Sequence, residues 1–203
     1  IKMNSRNTVV IMTLVAGVIL VQLVSRGQPE PGTAEEKKTV IKNEVTPNST
    51  RIGNLSANVP DNWSAVRPSS SMRLMQFRLG APADDATLAI FKNIGGTIDN
   101  NLARWSSQFG YSLSDSEVNI RAEVINGMQV NIISILGTYT NTMAFPGAAQ
   151  PKLNYRLLAA IANTPDGLYY FKLTGPNTVI TGRLEEFSRF IKSLRYDEIG
   201  KKS

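Results

Sequence analysis

Val118-Asn119-Ile120-Arg121-Ala122-Glu123-Val124-Ile125-Asn126-Gly127-Met128-Gln129-Val130-Asn131-Ile132 reads as two strands joined by a tight turn. Val118, Ile120, Ala122 and Val124 share one face; Asn119, Arg121 and Glu123 share the other. Alternation with a period of two marks a half-buried strand, because successive side chains point to opposite faces. Asn126-Gly127 is a preferred pair for a two-residue hairpin, where both turn positions need positive φ. Met128, Val130, Ile132, Ser134 and Leu136 continue the pattern on the return strand. This is the signal of an antiparallel sheet.

The same reading extends outward. Downstream, Tyr155–Ala162 and Leu168–Thr174 form a second hairpin around Thr164-Pro165-Asp166-Gly167, and Gly175-Pro176 is expected to stop it. Upstream, Leu55, Ala57 and Val59 alternate, and Pro60-Asp61-Asn62 turns into Trp63. Met72–Leu79 and Thr87–Asn93 are apolar strands around the break Gly80-Ala81-Pro82-Ala83-Asp84-Asp85. Two helices complete the pattern. Gly95-Gly96 leads to Thr97, a good N-cap, after which Ile98, Leu102, Trp105 and Phe109 recur at spacings of four, three and four until Gly110. Near the end, Thr178 is expected to cap a helix with Ile180, Leu184, Phe187, Ile191 and Leu194 on one stripe. The fold class is therefore α+β: an antiparallel β-sheet flanked by amphipathic helices.

Hydrophobicity divides the chain differently near its start. Thr8–Val24 reads TVVIMTLVAGVILVQLV, without a charge. Its 17 residues span about 26 Å as a helix, near the lower limit for a bilayer core. The segment is long for the apolar part of a signal peptide, and no A-x-A site follows, so we expect an uncleaved transmembrane anchor in residues 1–25. Lys2 and Arg6 precede it and Arg26 follows, which favours a cytoplasmic N-terminus and a periplasmic body at a bacterial inner membrane. Thr13, Ala16 and Gly17 form a small-residue patch that permits close helix packing in lipid. Residues 26–50 carry four basic and four acidic residues, three prolines and few apolar groups, and read as a tether. The globular domain is residues 51–203.

Composition narrows the chemistry. The chain has 203 residues, no Cys and no His, and a net charge of +6. Disulfides, thiol nucleophiles, iron–sulfur sites, His-based triads and His-ligated metals are excluded. Residues 51–203 hold 16 basic and 12 acidic residues spread along the chain, with no basic run that suits nucleic acid. Asp84-Asp85 sits in a loop, Ser69-Ser70-Ser71 has no base beside it, and Gly95-Gly96 lacks the Lys of a phosphate-binding loop. We expect no catalytic residue, no cofactor and no metal. Trp63, Trp105, Phe187 and Phe190 are expected in the core, while Tyr169-Tyr170-Phe171 is expected to send at least one ring away from it. The uncharged loop Thr142–Pro151 carries Met143, Phe145 and Pro146, and either docks on a partner or folds back over the sheet edge.

Val59-Pro60-Asp61-Asn62-Trp63, the strand ending in Phe91-Lys92, the Trp105 helix, the Asn126-Gly127 hairpin, the hairpin Tyr155–Thr174 and the closing Leu194-Arg195-Tyr196 together resemble the Mog1/PsbP-like fold. Ser70–Leu74, Leu136–Thr140 and Tyr170–Pro176 also look like a family of uncharacterised bacterial exported proteins. The resemblance covers roughly residues 52–197. It implies a non-catalytic extrinsic or assembly subunit, since PsbP-like domains serve photosystems on the lumenal face. With no His present, any His-dependent metal role of that family does not carry over. Two roles follow as expectations: a membrane-anchored accessory subunit of a larger complex, contacting its subunits and the bilayer, or a periplasmic module that binds a small apolar ligand.

Overall fold

Alternating apolar strands with turn-forming breaks build two antiparallel sheets. The computed structural model describes residues 49–140 and 150–197. In chain order these form β1 (Ser49–Ile52), β2 (Leu55–Asn58), β3 (Trp63–Val66), β4 (Met75–Leu79), β5 (Thr87–Lys92), α1 (Ile98–Ser107), β6 (Val118–Ile125), β7 (Met128–Tyr139), β8 (Lys152–Thr164), β9 (Gly167–Pro176), α2 (Asn177–Thr181), α3 (Leu184–Lys192) and β10 (Arg195–Tyr196). The main sheet has seven strands in the order β3-β4-β5-β9-β8-β7-β6, and a small one has the order β1-β2-β10. β1 begins at Ser49, at the end of the expected tether.

The decisive hairpin forms as read. Val118 pairs with Ile135 and Ile125 with Met128, around Asn126 at φ 47° and Gly127 at φ 81°. The second hairpin is longer than expected, because Gly175 and Pro176 stay in β9 opposite Arg156 and Tyr155. Thr97 caps α1 by accepting a hydrogen bond from the Asn100 amide at 3.1 Å. The closing helix differs from the expected one. It is broken at Gly182-Arg183 into α2 and α3, with Pro176 rather than Thr178 at the N-cap position. Leu184 is thereby left 37% exposed instead of joining the buried stripe of Phe187, Phe190 and Ile191.

The two faces of the main sheet are covered unequally. On one face Phe77, Leu88, Ile90, Val130, Leu158, Phe171 and Leu173 pack against α2, α3 and the small sheet. On the other, Ile133, Ile135, Leu157, Ile161 and Tyr170 meet Leu102, Trp105 and Phe109 at α1. Because both faces are packed at the central strands, Tyr169, Tyr170 and Phe171 are all fully buried, and none is sent outward as expected. Trp63, Trp105, Phe187 and Phe190 are buried as expected.

Two polar clamps tie the elements together. The Glu186 carboxylate accepts from Trp63 Nε1, Asn62 Nδ2 and Arg183, each at 3.0 Å, which locks the turn before β3 to α3. The Asp166 carboxylate accepts from Asn54 Nδ2 at 2.6 Å, Lys92 Nζ at 2.7 Å and Thr164 Oγ1 at 2.7 Å. Asn54 lies in the β1–β2 turn, so this second clamp joins the small sheet to the β8–β9 turn.

Candidate functional site

The α1 face is where the fold leaves room. Seven strands span about 29 Å across at 4.8 Å per spacing. The ten residues of α1 make a rod about 15 Å long. One such helix cannot cover the whole face, and among the described residues no other helix packs on it. Two openings result, one on either side of α1.

The first opening is a cleft of about 550 Å³. Gln76 of β4, Thr87, Ala89 and Phe91 of β5, and Lys172 and Thr174 of β9 form its floor. Arg104 and Trp105 of α1 make one wall with Gln108 just past its end; Ser69, Ser70, Met72 and Arg73 make another. Tyr139, Lys152 and Tyr155 close it where β7 passes to β8. Four cations line this space against one carboxylate, Asp85. Asp85 stands in the left-handed region at φ 48°, past the turn Pro82–Asp84, and accepts from Lys152 and the Tyr155 hydroxyl. Burial favours the neutral carboxyl there, but those two hydrogen bonds outweigh it and hold the Asp85 pKa below its usual value.

The other three cations have neutral partners. Arg73 donates to Gln76 Oε1 at 2.7 Å and lies 5.9 Å above the Phe91 ring. Arg104 donates to Asn101 Oδ1 at 2.5 Å. Lys172 donates to Gln108 Oε1 and stands 5.6 Å from the centre of the Tyr139 ring. Burial lowers the Lys172 pKa to about 7, and the like charges of Arg104 and Arg73 push it the same way. The aromatic wall is itself ordered: Tyr139 stacks on Tyr155 with centroids 6.1 Å apart, and Phe109 tilts against Tyr139 at 5.4 Å.

The second opening is the outer edge of β6, the end strand of the main sheet. Val118, Ile120, Ala122 and Val124 do share one face, but only Val118 packs against the core on the α1 side, and the other three are exposed. Ile120 is 38% exposed and Val124 78%. On the opposite face Arg121 and Glu123 neutralise each other at 2.8 Å. The strand is eight residues long, holds no Pro or Lys, and pairs in regular register with β7. Among the described residues no strand pairs along its outer edge, and at its start the Val118 amide donates to the Asp115 carbonyl at 3.0 Å.

The residues singled out in the sequence fall elsewhere. Thr13, Ala16 and Gly17, with the whole of Thr8–Val24, lie outside the described residues, and so do Met143, Phe145 and Pro146. Among the described residues no helix is long and apolar enough to cross a membrane. Gly95-Gly96 makes a tight turn into α1, where Asn101 Nδ2 donates to the carbonyls of Gly95 at 2.9 Å and Thr97 at 2.8 Å. The cleft was missed because Arg73, Arg104, Lys152 and Lys172 come from four separate segments. One signal did exist: Lys172 sits between Phe171 and Leu173 in an otherwise apolar strand.

No family model matches the chain, and no curated protein matches it. Similar solved structures include cyanobacterial PsbP (CyanoP) from Synechocystis, 15% identical over 70% of this chain and 86% of that one, with a TM-score of 0.44. PsbP, which the resemblance names, is thus among the solved structures that this chain is similar to. Another is LpqN of Mycobacterium tuberculosis, involved in cell envelope biogenesis, at 13% identity over 70% of this chain and 83% of that one, TM-score 0.39. A third is PA94 of Pseudomonas aeruginosa, a protein of unknown function, at 9% identity over 71% and 93%, TM-score 0.35.

Proposed function

We propose that this chain is a non-enzymatic accessory subunit that stabilises or helps assemble a larger membrane protein complex. The observation that supports this reading is the β6 edge. An eight-residue edge strand with exposed apolar groups at Ile120 and Val124, and with no strand beyond it among the described residues, is a template for strand addition by a partner. Soluble monomers commonly blunt such an edge with Pro, Lys or a bulge, and β6 has none of these. In this reading Thr8–Val24 anchors the chain in a bacterial inner membrane, and residues 26–50 hold the body at the periplasmic face. Tethering raises the local concentration of the body, so a modest strand contact suffices for stable association. The PsbP-like resemblance favours a photosynthetic or other electron-transfer complex as the partner. Extraction of the full chain in mild detergent, followed by native electrophoresis, tests the proposal. Migration with a larger complex in fixed stoichiometry is expected; migration of the 22.2 kDa chain alone would contradict it.

The cleft favours a second reading, a small-ligand-binding module. A space of about 550 Å³ lies within the range of small-molecule sites. Its lining alters the ligand expected from sequence: a wholly apolar molecule would bury Arg73, Arg104 and Lys172 without compensation.

A further inference from the structure

We propose that the cleft beside α1 binds a small organic anion, with the oxyanion held among Arg73, Arg104 and Lys172 and the apolar body against Trp105, Phe91 and Ile94. This rests on the ligand-binding reading of the cleft and names the chemistry of its ligand.

Four separate segments deliver the cations to this one space: the loop before β4, α1, the start of β8 and β9. Lys152 is spoken for, because Asp85 accepts a hydrogen bond from its ammonium and pairs its charge. Among the described residues, the other three donate to neutral acceptors, Gln76, Asn101 and Gln108. Arg104 is exposed and Arg73 half-buried, so the cost of like charges without a counter-ion falls chiefly on Lys172, whose ammonium burial already disfavours. A protein with no use for that charge gains by replacing Lys172 with an apolar residue, since Phe171 and Leu173 beside it are apolar and fully buried. An oxyanion supplies the missing counter-charge, and two guanidinium forks suit its planar or tetrahedral oxygens. The walls also fit an amphiphilic shape. Phe91, Trp105, Ile94 and the stacked Tyr139 and Tyr155 offer flat apolar surface beside the charges.

The protonation of Lys172 is part of the site. It is faced by Arg104 from α1 and Gln108 at its C-cap, by Arg73 from the loop before β4, and by Tyr139 from β7. Asp85, Lys152 and Tyr155 lie further along the same cleft. With burial and the two arginines holding its pKa at about 7, the ammonium is part-charged at neutral pH. A bound anion stabilises the charged form, so binding takes up a proton above that pH.

The probes are 2-naphthyl phosphate, the neutral 2-naphthalenemethanol, and vesicles of phosphatidylglycerol or phosphatidylcholine. Each is titrated against the full chain and against Arg73→Gln and Lys172→Met, with circular dichroism confirming that both variants fold. We expect the phosphate to bind, the alcohol not to bind, and each variant to weaken binding by about tenfold or more. Binding of phosphatidylglycerol vesicles alone, lost in both variants, keeps the oxyanion site and assigns it to a lipid headgroup. Naphthalene-2-sulfonate, whose charge is fixed, should bind more weakly as pH rises from about 6 to about 8.5, and Lys172→Met should remove that dependence. Equal binding of phosphate and alcohol, or binding insensitive to both variants, overturns the anion assignment while leaving a ligand site. Binding of no probe overturns the ligand-binding reading as well.

Discussion

The indole Nε1 of Trp63 donates to the Glu186 carboxylate at 3.0 Å, joining the first strand of the main sheet to the last long helix. Asn62 and Arg183 donate to the same carboxylate, so one acid satisfies three donors. Burial by itself would raise the Glu186 pKa; the hydrogen bonds from Trp63, Asn62 and Arg183 outweigh it and hold the value below the usual 4.5. A carboxyl with a depressed folded pKa stabilises the fold above its unfolded pKa, and that stability is lost as pH falls through the folded value. Glu186→Ala should cost about 2 kcal/mol at neutral pH. It should also flatten the acid limb of stability below about pH 4.5. Urea unfolding across pH measures both effects, and an unchanged acid limb would show that the acid sensitivity comes from other groups.

Asn126 does more than turn the hairpin. At φ 47° it occupies the left-handed region, and its Nδ2 donates to the Leu194 carbonyl at 2.7 Å and, more weakly, to Lys192 at 3.3 Å. The turn therefore also terminates α3. Asn126→Gly keeps the backbone conformation and loses only the side-chain bonds, for about 1 kcal/mol. Asn126→Ala adds backbone strain, for about 2 kcal/mol in all. The gap between the two variants in chemical denaturation isolates the strain; identical midpoints would refute that division.

Gly175 sits in β9 where a side chain has no room. A Cβ there would stand 2.9 Å from Ala86 Cα, 3.0 Å from Ala86 Cβ and 3.2 Å from Ile180 Cδ1. Two of those contacts belong to a residue that cannot swing aside. Gly175→Ala should destabilise the fold by about 1–3 kcal/mol through overpacking, read as a lower thermal midpoint.

Much of this architecture was legible, and the failures have physical causes. The β6–β7 hairpin and the Thr97 cap were readable because their signals are local: a period of two, a pair of residues that tolerates positive φ, a hydroxyl before a helix. β1 and β10 carry no such signal, since each is short and exists through pairing with β2, Tyr196 meeting Leu55 far along the chain. The break between α2 and α3 follows from Gly182, which the apolar stripe obscured. The exposure of Ile120 and Val124 is not legible in β6, because alternation reports which residues share a face and does not report whether another element covers them. The cleft escaped for a related reason. Its cations lie on four elements, and only the sheet order brings β4, β5 and β9 side by side.

Asp85 gives the cleft a control in the opposite direction. It is the carboxylate of an otherwise cationic lining, and its side chain is 55% exposed. Asp85→Asn removes a charge that repels an anionic ligand and frees Lys152 to face it. The affinity for 2-naphthyl phosphate should rise by about threefold to tenfold. A fall in affinity would mean that Asp85 positions Lys152 or Tyr155 rather than opposing the ligand.

The accessory role rests on a partner at the β6 edge. A photo-crosslinking amino acid at position 124, on the exposed face of β6, tests it in intact membranes, with position 189 on α3 as the control. Arg189 has a side chain 70% exposed, so both probes reach solvent. A discrete adduct with a membrane-complex subunit from position 124, absent from position 189 and abolished by Ala122→Pro, is the predicted result. No adduct from position 124, or the same adducts from both positions, would contradict the account.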